Sequence, residues 1–190
     1  MIMRLIFYYC IHLYRIKDLF IIYWFRKFHE NSSLSDDRLL NEWQFVCVSE
    51  KMNVSVDRVK GVVQYWMYIV PLDIIYLIRY RNVVEFIRSL PTNQWVILSD
   101  YPAEAKANAL GLHGARCFSA SSSYINSLKP NPKGVLYILN KYSIKTTECL
   151  LIGDRDEKDG RCARNAGIDY LMLSSNYIKR MHQIELLREA

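Results

Sequence analysis

The stretch LLIGDRDEKDGRCARNAGI runs from Leu150 to Ile168. Its first residues read as the end of a buried strand, and Asp154, Asp156, Glu157 and Asp159 follow at once. Gly167 then closes what reads as a helix over DGRCARNA. Crowded carboxylates repel one another and lose hydration, so either a counter-charge holds them or they face water. A strand, a polar turn and a helix in that order are one unit of a parallel sheet.

The same unit recurs around it. WVILS (95–99) is an apolar run of strand length. PAEAKANAL follows as a helix, with Pro102 near its first turn and Gly111 past its end. RCFSA (116–120) reads as a second strand, ECLLIG (148–153) as a third and YLMLS (170–174) as a fourth. PKGVLYILNKY is the helix before the third. In an open parallel sheet, ligands bind beyond the carboxyl ends of the strands. Three segments bring polar residues there: Ser99–Asp100, Asp154–Arg155 and the loop containing Lys129.

Residues 1 to about 90 read differently, as four or five helices. Leu5, Tyr9, Leu13, Ile16, Phe20 and Tyr23 recur at steps of three and four on one face. Ser35 with Asp36 and Asp37, and Ser55 before VDRVKGVVQYWM, look like helix starts. Pro71 breaks the chain before LDIIYLIRY. The domain expectation is a helical region over 1–85 and an α/β core over 86–190.

Composition narrows the partners. The chain of 190 residues is 51% hydrophobic and 23% charged, a balance that fits a soluble globular protein. A net charge of +6 favours anionic partners, but no Lys/Arg-rich run points to nucleic acid. Five cysteines without a CxxC pair, and scattered histidines, argue against disulfides and zinc and for a reducing, cytoplasmic setting. LIFYYCI and LFIIYWF are separated by Arg15, Lys17 and Asp18, so neither run reaches the ~18 residues of a membrane span. No small-residue cleavage site follows, which excludes a signal peptide from the expectation. The N-terminal segment therefore reads as an amphipathic helix buried on one face, with a membrane-surface helix as the alternative.

Each candidate site residue has a plain structural reading beside the chemical one. Ser99 sits at a strand-to-helix junction, where its hydroxyl and free N–H groups suit an anion, or where Ser99 or Asp100 caps the helix. Lys129 in SLKPNP reaches a phosphate or clustered carboxylates, or is solvated. Asp154 and Asp159 are five apart across a turn and could share a hard cation such as Mg²⁺, or belong to a solvated acidic loop.

Taken together, the pieces resemble the haloacid dehalogenase (HAD) superfamily, largely Mg²⁺-dependent phosphatases. VILS ends in the family's motif II Ser, KPNP carries its motif III Lys, and GDRDEKD followed by ARNAG matches motif IV. The match is close over about residues 83 to 175. The resemblance implies a Rossmann-type parallel sheet core with an N-terminal helical cap-like region. It implies that Ser99 and Lys129 bind the phosphoryl group, that Lys129 also serves catalysis, and that Asp154 and Asp159 hold Mg²⁺. The implied ligand is a small phosphorylated metabolite.

Motif I, the Asp-x-Asp that supplies nucleophile and general acid–base, is not found upstream of Ser99. Asp36–Asp37 lie in a polar helix start. In one explanation RLIFYYCIHL is a decayed motif I strand, with Tyr8 and Cys10 at the Asp positions and His12 at the Thr position. In the other the first strand is absent, and residues 5 to 25 form a cap helix; the helical spacing favours this one. The motif I strand lies centrally in this fold, so its loss leaves a gap with unpaired backbone on both sides. The expectation is an N-terminally truncated or inactive HAD-like phosphatase with weak Mg²⁺ affinity. The alternative is a non-catalytic module that binds a phosphorylated ligand or a protein.

Overall fold

The structure is a computed structural model and describes residues 16–30 and 40–189. Leu5, Tyr9 and Leu13, the Ser35 helix start, and Tyr8, Cys10 and His12 lie outside the described residues. Two compact units form, one ending at Arg79 and the other beginning at Tyr80. A boundary at 85/86 would fall inside the first helix of the second unit.

The first unit is helical. Its elements are α1 (Ile16–Glu30), α2 (Leu40–Met52), α3 (Val56–Val63) and, after Pro71, α4 (Leu72–Ile78). Ser55 caps α3, its Oγ accepting the Arg58 N–H at 3.2 Å. Past Val63 the helix widens into π-helical turns over Gln64–Ile69. Ile21, Phe25, Val48, Val59, Val62, Val63 and Trp66 are buried.

The buried face of α1 is not the one the spacing picks out. Ile16, Phe20 and Tyr23 are exposed, while Asp18, Ile21, Phe25 and His29 are buried. α1 carries apolar residues all round, so periodicity cannot choose a face. Its neighbours choose: Phe25 stacks on Phe45, Gln44 Nε2 donates to the Phe25 carbonyl at 3.2 Å, and Asp18 pairs with Arg58. The helical run Val56–Ile78 spans 23 residues with a mean hydropathy of 1.5 in its most apolar window. By length and composition it is within range of a membrane-crossing helix, although no such run was expected from the sequence. Core helices of soluble proteins share that property.

The second unit alternates helices with short parallel strands, an α/β arrangement. It contains α5 (Arg81–Ser89), β1 (Ile97–Ser99), α6 (Glu104–Ala109), β2 (Cys117–Ser119) and α7 (Lys133–Tyr142). β3 (Leu150–Gly153), α8 (Arg161–Ala166), β4 (Asp169–Met172) and α9 (Tyr177–Glu189) follow. β1 pairs with β2, Leu98 opposite Phe118, and β3 pairs with β4, Leu151 opposite Tyr170. Among the described residues these are two separate two-stranded sheets, not the single sheet expected.

α7 bridges them. Val135 and Leu139 pack with Cys162, Ala163 and Ile168 on the β3–β4 side, and Ile138 packs with Phe118 and Ile125 on the β1–β2 side. Leu98 contacts both clusters. A Cβ on Gly134 would meet the Leu98 methyls at 3.2 and 3.3 Å, so the start of α7 lies close on β1. Val84, Ala107 and Leu112 form a third cluster with Ile97 and Cys117.

Candidate functional site

The carboxyl ends of β1 and β3 meet in a cluster of four charges. Lys129 Nζ lies 2.5 Å from Asp159 Oδ1, and the two side chains are 16% and 8% exposed. Asp159 Oδ2 accepts the Arg155 N–H at 3.3 Å. Asp100, directly after β1, accepts the Lys129 backbone N–H at 3.3 Å and faces Lys158 Nζ at 3.8 Å. A charge-assisted contact of this kind, shielded from water, is stronger than its exposed counterpart.

Local sequence explains how Asp159 arrives there. After Gly153 the chain turns through π-type backbone over Asp156–Gly160 before α8 begins, and Asp159 and Gly160 are buried. A Cβ on Gly153 would sit 2.6 Å from Asp159 Cβ, Cγ and Oδ2, so only glycine lets the strand end approach that carboxylate. Gly160 is equally confined, between Asp156 and Tyr170.

The acidic knot divides in two. Asp159 turns inward to Lys129. Asp156 and Glu157 are exposed, each with its own arginine: Arg164 reaches Asp156 at 3.0 and 3.2 Å, and Arg155 reaches Glu157 at 2.8 Å. Hydrogen bonds from Arg164 hold the Asp156 carboxyl below its usual range, and those from Arg155 do the same for Glu157. Asp154 is exposed.

Ser99 ends β1, and its Oγ accepts the Tyr101 N–H at 3.3 Å. Neither Ser99 nor Asp100 caps the following helix. α6 starts only at Glu104, because Pro102 and Ala103 intervene, and Ala103 occupies the cap position. Asp100 looked like a cap because it precedes a helical pattern, and its contacts across the chain are not visible in spacing. Lys158 stands next to Asp159 in sequence, and only the π-type turn brings it to Asp100. Cys162, fully buried in the first turn of α8, donates through its thiol to the Asn131 carbonyl at 3.4 Å. Burial pushes that thiol up to about 11.

Between β1 and β3 lies a cavity of about 130 Å³. Leu98 lines it from β1 and Val96 from just before that strand, Leu150, Leu151 and Ile152 from β3, and α7 from one face; Lys129 and Asp159 close its polar end. Ile97 N–H bonds to Arg116 and the Ser99 carbonyl to Ala120, so the Leu98 backbone groups point the other way, into the cavity. On β3 the Gly153 carbonyl bonds to Leu173, which turns the backbone of Leu150 and Ile152 toward the same space. Among the described residues no strand pairs with either edge.

A model of the haloacid dehalogenase-like hydrolase family matches residues 52–167, more than half of the chain. The chain belongs to this family. No curated protein matches it. Members of the family generally use Mg²⁺. The donor set at this site does not by itself fit such a cation: both Asp159 oxygens are engaged, Asp154 is exposed, and no group of three metal-ligating side chains comes together among the described residues.

Proposed function

We propose that this HAD-like hydrolase acts on a small phosphate ester held where β1 and β3 end. The observation that carries the reading is the half-buried Lys129 ammonium, fixed on Asp159 in the region of the strand ends where Ser99 closes β1. An ammonium there offsets phosphoryl charge, and a serine hydroxyl donates to a phosphoryl oxygen. Shielding from bulk water strengthens both contacts. The attacking group of the family's reaction would come from a further strand carrying an aspartate, and the slot between β1 and β3 has the hydrogen-bonding edges such a strand needs. With the carboxylates described here, Mg²⁺ would bind weakly.

The test is inorganic phosphate binding, and phosphate release from a panel of small phosphate esters, with and without Mg²⁺, by the chain and by Lys129→Met. Inorganic phosphate binding that is lost in Lys129→Met supports the proposed site. Release by the chain joined to a strand carrying the aspartate supports the hydrolase, binding without release in that form points to the non-catalytic module, and neither binding nor release rejects both readings.

A further inference from the structure

β1 and β3 share no backbone hydrogen bonds, and an apolar cavity separates them. The loops that follow them nevertheless come within reach of one another, Asp100 after β1 facing Lys158 after β3 at 3.8 Å. Something must hold the two loops in that relation. Lys129 reaches from the loop before α7, and that loop is tied to α8 by two contacts: Asn165 Nδ2 donates to the Pro130 carbonyl at 3.1 Å, and Cys162 Sγ to the Asn131 carbonyl at 3.4 Å. On the β1 side the tie is Asp100, which takes the Lys129 backbone N–H with one oxygen and faces Lys158 with the other. Asp100 and Lys158 are 14% and 15% exposed, nearly as buried as the Lys129–Asp159 pair.

The four residues make a closed circuit. Lys129 touches Asp159, Asp159 adjoins Lys158 in the chain, Lys158 faces Asp100, and Asp100 holds the backbone of Lys129. Two ammonium groups and two carboxylates balance, so no charge in this half-buried space is left uncompensated. We infer that Asp100 and Lys158 are positioning residues, a clasp across the open end of the slot that sets the Lys129 ammonium on Asp159. The clasp itself stands on this geometry. Its consequence for ligand binding rests on the phosphate-site reading proposed above.

The experiment compares Asp100→Asn, Asp100→Ala and Lys158→Met with the unmodified chain, and uses Lys158→Arg as the conservative rescue. The first readout is the acetylation rate of Lys129 in the folded protein, measured by peptide mass spectrometry against exposed Lys179. Loss of the clasp frees Lys129, so its rate should rise at least about threefold while Lys179 and the melting temperature stay near the original values, and Lys158→Arg should restore it. An unchanged Lys129 rate in the folded variants overturns the inference. So does a rise at Lys129 and Lys179 together with a fallen melting temperature, which marks a purely structural role. Asp100→Asn, nearly isosteric, keeps the test decisive should Asp100→Ala fail to fold. The second readout is inorganic phosphate affinity, expected to weaken about fivefold without the clasp. If the unmodified chain binds no phosphate, the phosphate-site reading fails, and the acetylation rates still decide the clasp.

Discussion

In the helical unit the buried polar groups are dispersed. Asp18 pairs with Arg58 between α1 and α3, Gln44 reaches back from α2 to the α1 backbone, and His29 is buried near the end of α1. In the α/β unit Asp100, Lys129, Lys158 and Asp159 gather at one end of the strands. The difference follows from architecture. Parallel strands end on the same side, so the loops after them converge and bring their polar residues together. Packed helices have no shared end, and Asp18 and Gln44 each pair where two helices touch. Gathered charge marks a candidate site, whereas dispersed charge marks the seams between helices.

Substitutions can break or sharpen this contrast. The largest effect is expected from Asp159→Ala, which leaves the Lys129 ammonium uncompensated in a mostly buried position. Urea unfolding should show a loss of about 3 kcal/mol, and a loss below measurement error would mean that the cluster is well solvated. Gly153→Ala comes next. Its new methyl meets Asp159 at 2.6 Å, so a loss of about 1–3 kcal/mol is expected from overpacking. In the helical unit Arg58→Met removes a partner from Asp18, whose side chain is only 1% exposed, so a loss of about 2 kcal/mol is expected.

The Cys162 thiol provides a pH probe of the α/β unit. Its folded value of about 11 lies above the ordinary 9.0, and burial is the main cause. The protonated thiol is favoured in the folded state, so this contribution to stability is complete below pH 9 and is lost as pH rises toward 11. Native protein at pH 8 should resist iodoacetamide at Cys162, and urea should release that protection. Ready alkylation without urea would show that the first turn of α8 opens. The smallest effect is expected at Asp156→Asn. Arg164 depresses this carboxyl, so its contribution is present at neutral pH and lost as pH falls through the folded value. Both partners are exposed, and no change in melting temperature at neutral pH should be measurable.

Much of the α/β unit was legible because its punctuation is local. Gly111 and Gly167 adopt the left-handed backbone that ends α6 and α8; β1, β2 and β3 fall within the apolar runs read for them, and β4 starts one residue before its run, at Asp169. Lys129 and Asp159 could be singled out from KPNP and GDRDEKD, and they do meet. Asp100 and Lys158 could not be paired by any spacing rule, since they stand 58 positions apart in the chain. The face of α1 was illegible for another reason. With apolar residues on every side, only the neighbouring helices could decide that Ile21 and Phe25 go inside and Ile16, Phe20 and Tyr23 stay out.

The sequence by itself determined the alternation of strand and helix after Trp95, the family resemblance, and two members of the charge cluster, Lys129 and Asp159. Those properties reside in short stretches whose backbone preferences and apolar runs act locally. The tertiary structure alone decided that both Asp159 oxygens are engaged, one by Lys129 and one by the Arg155 N–H, and that Asp100 and Lys158 face one another. These depend on which surfaces pack and which charges lose water, and both are set by contacts between residues far apart in the chain.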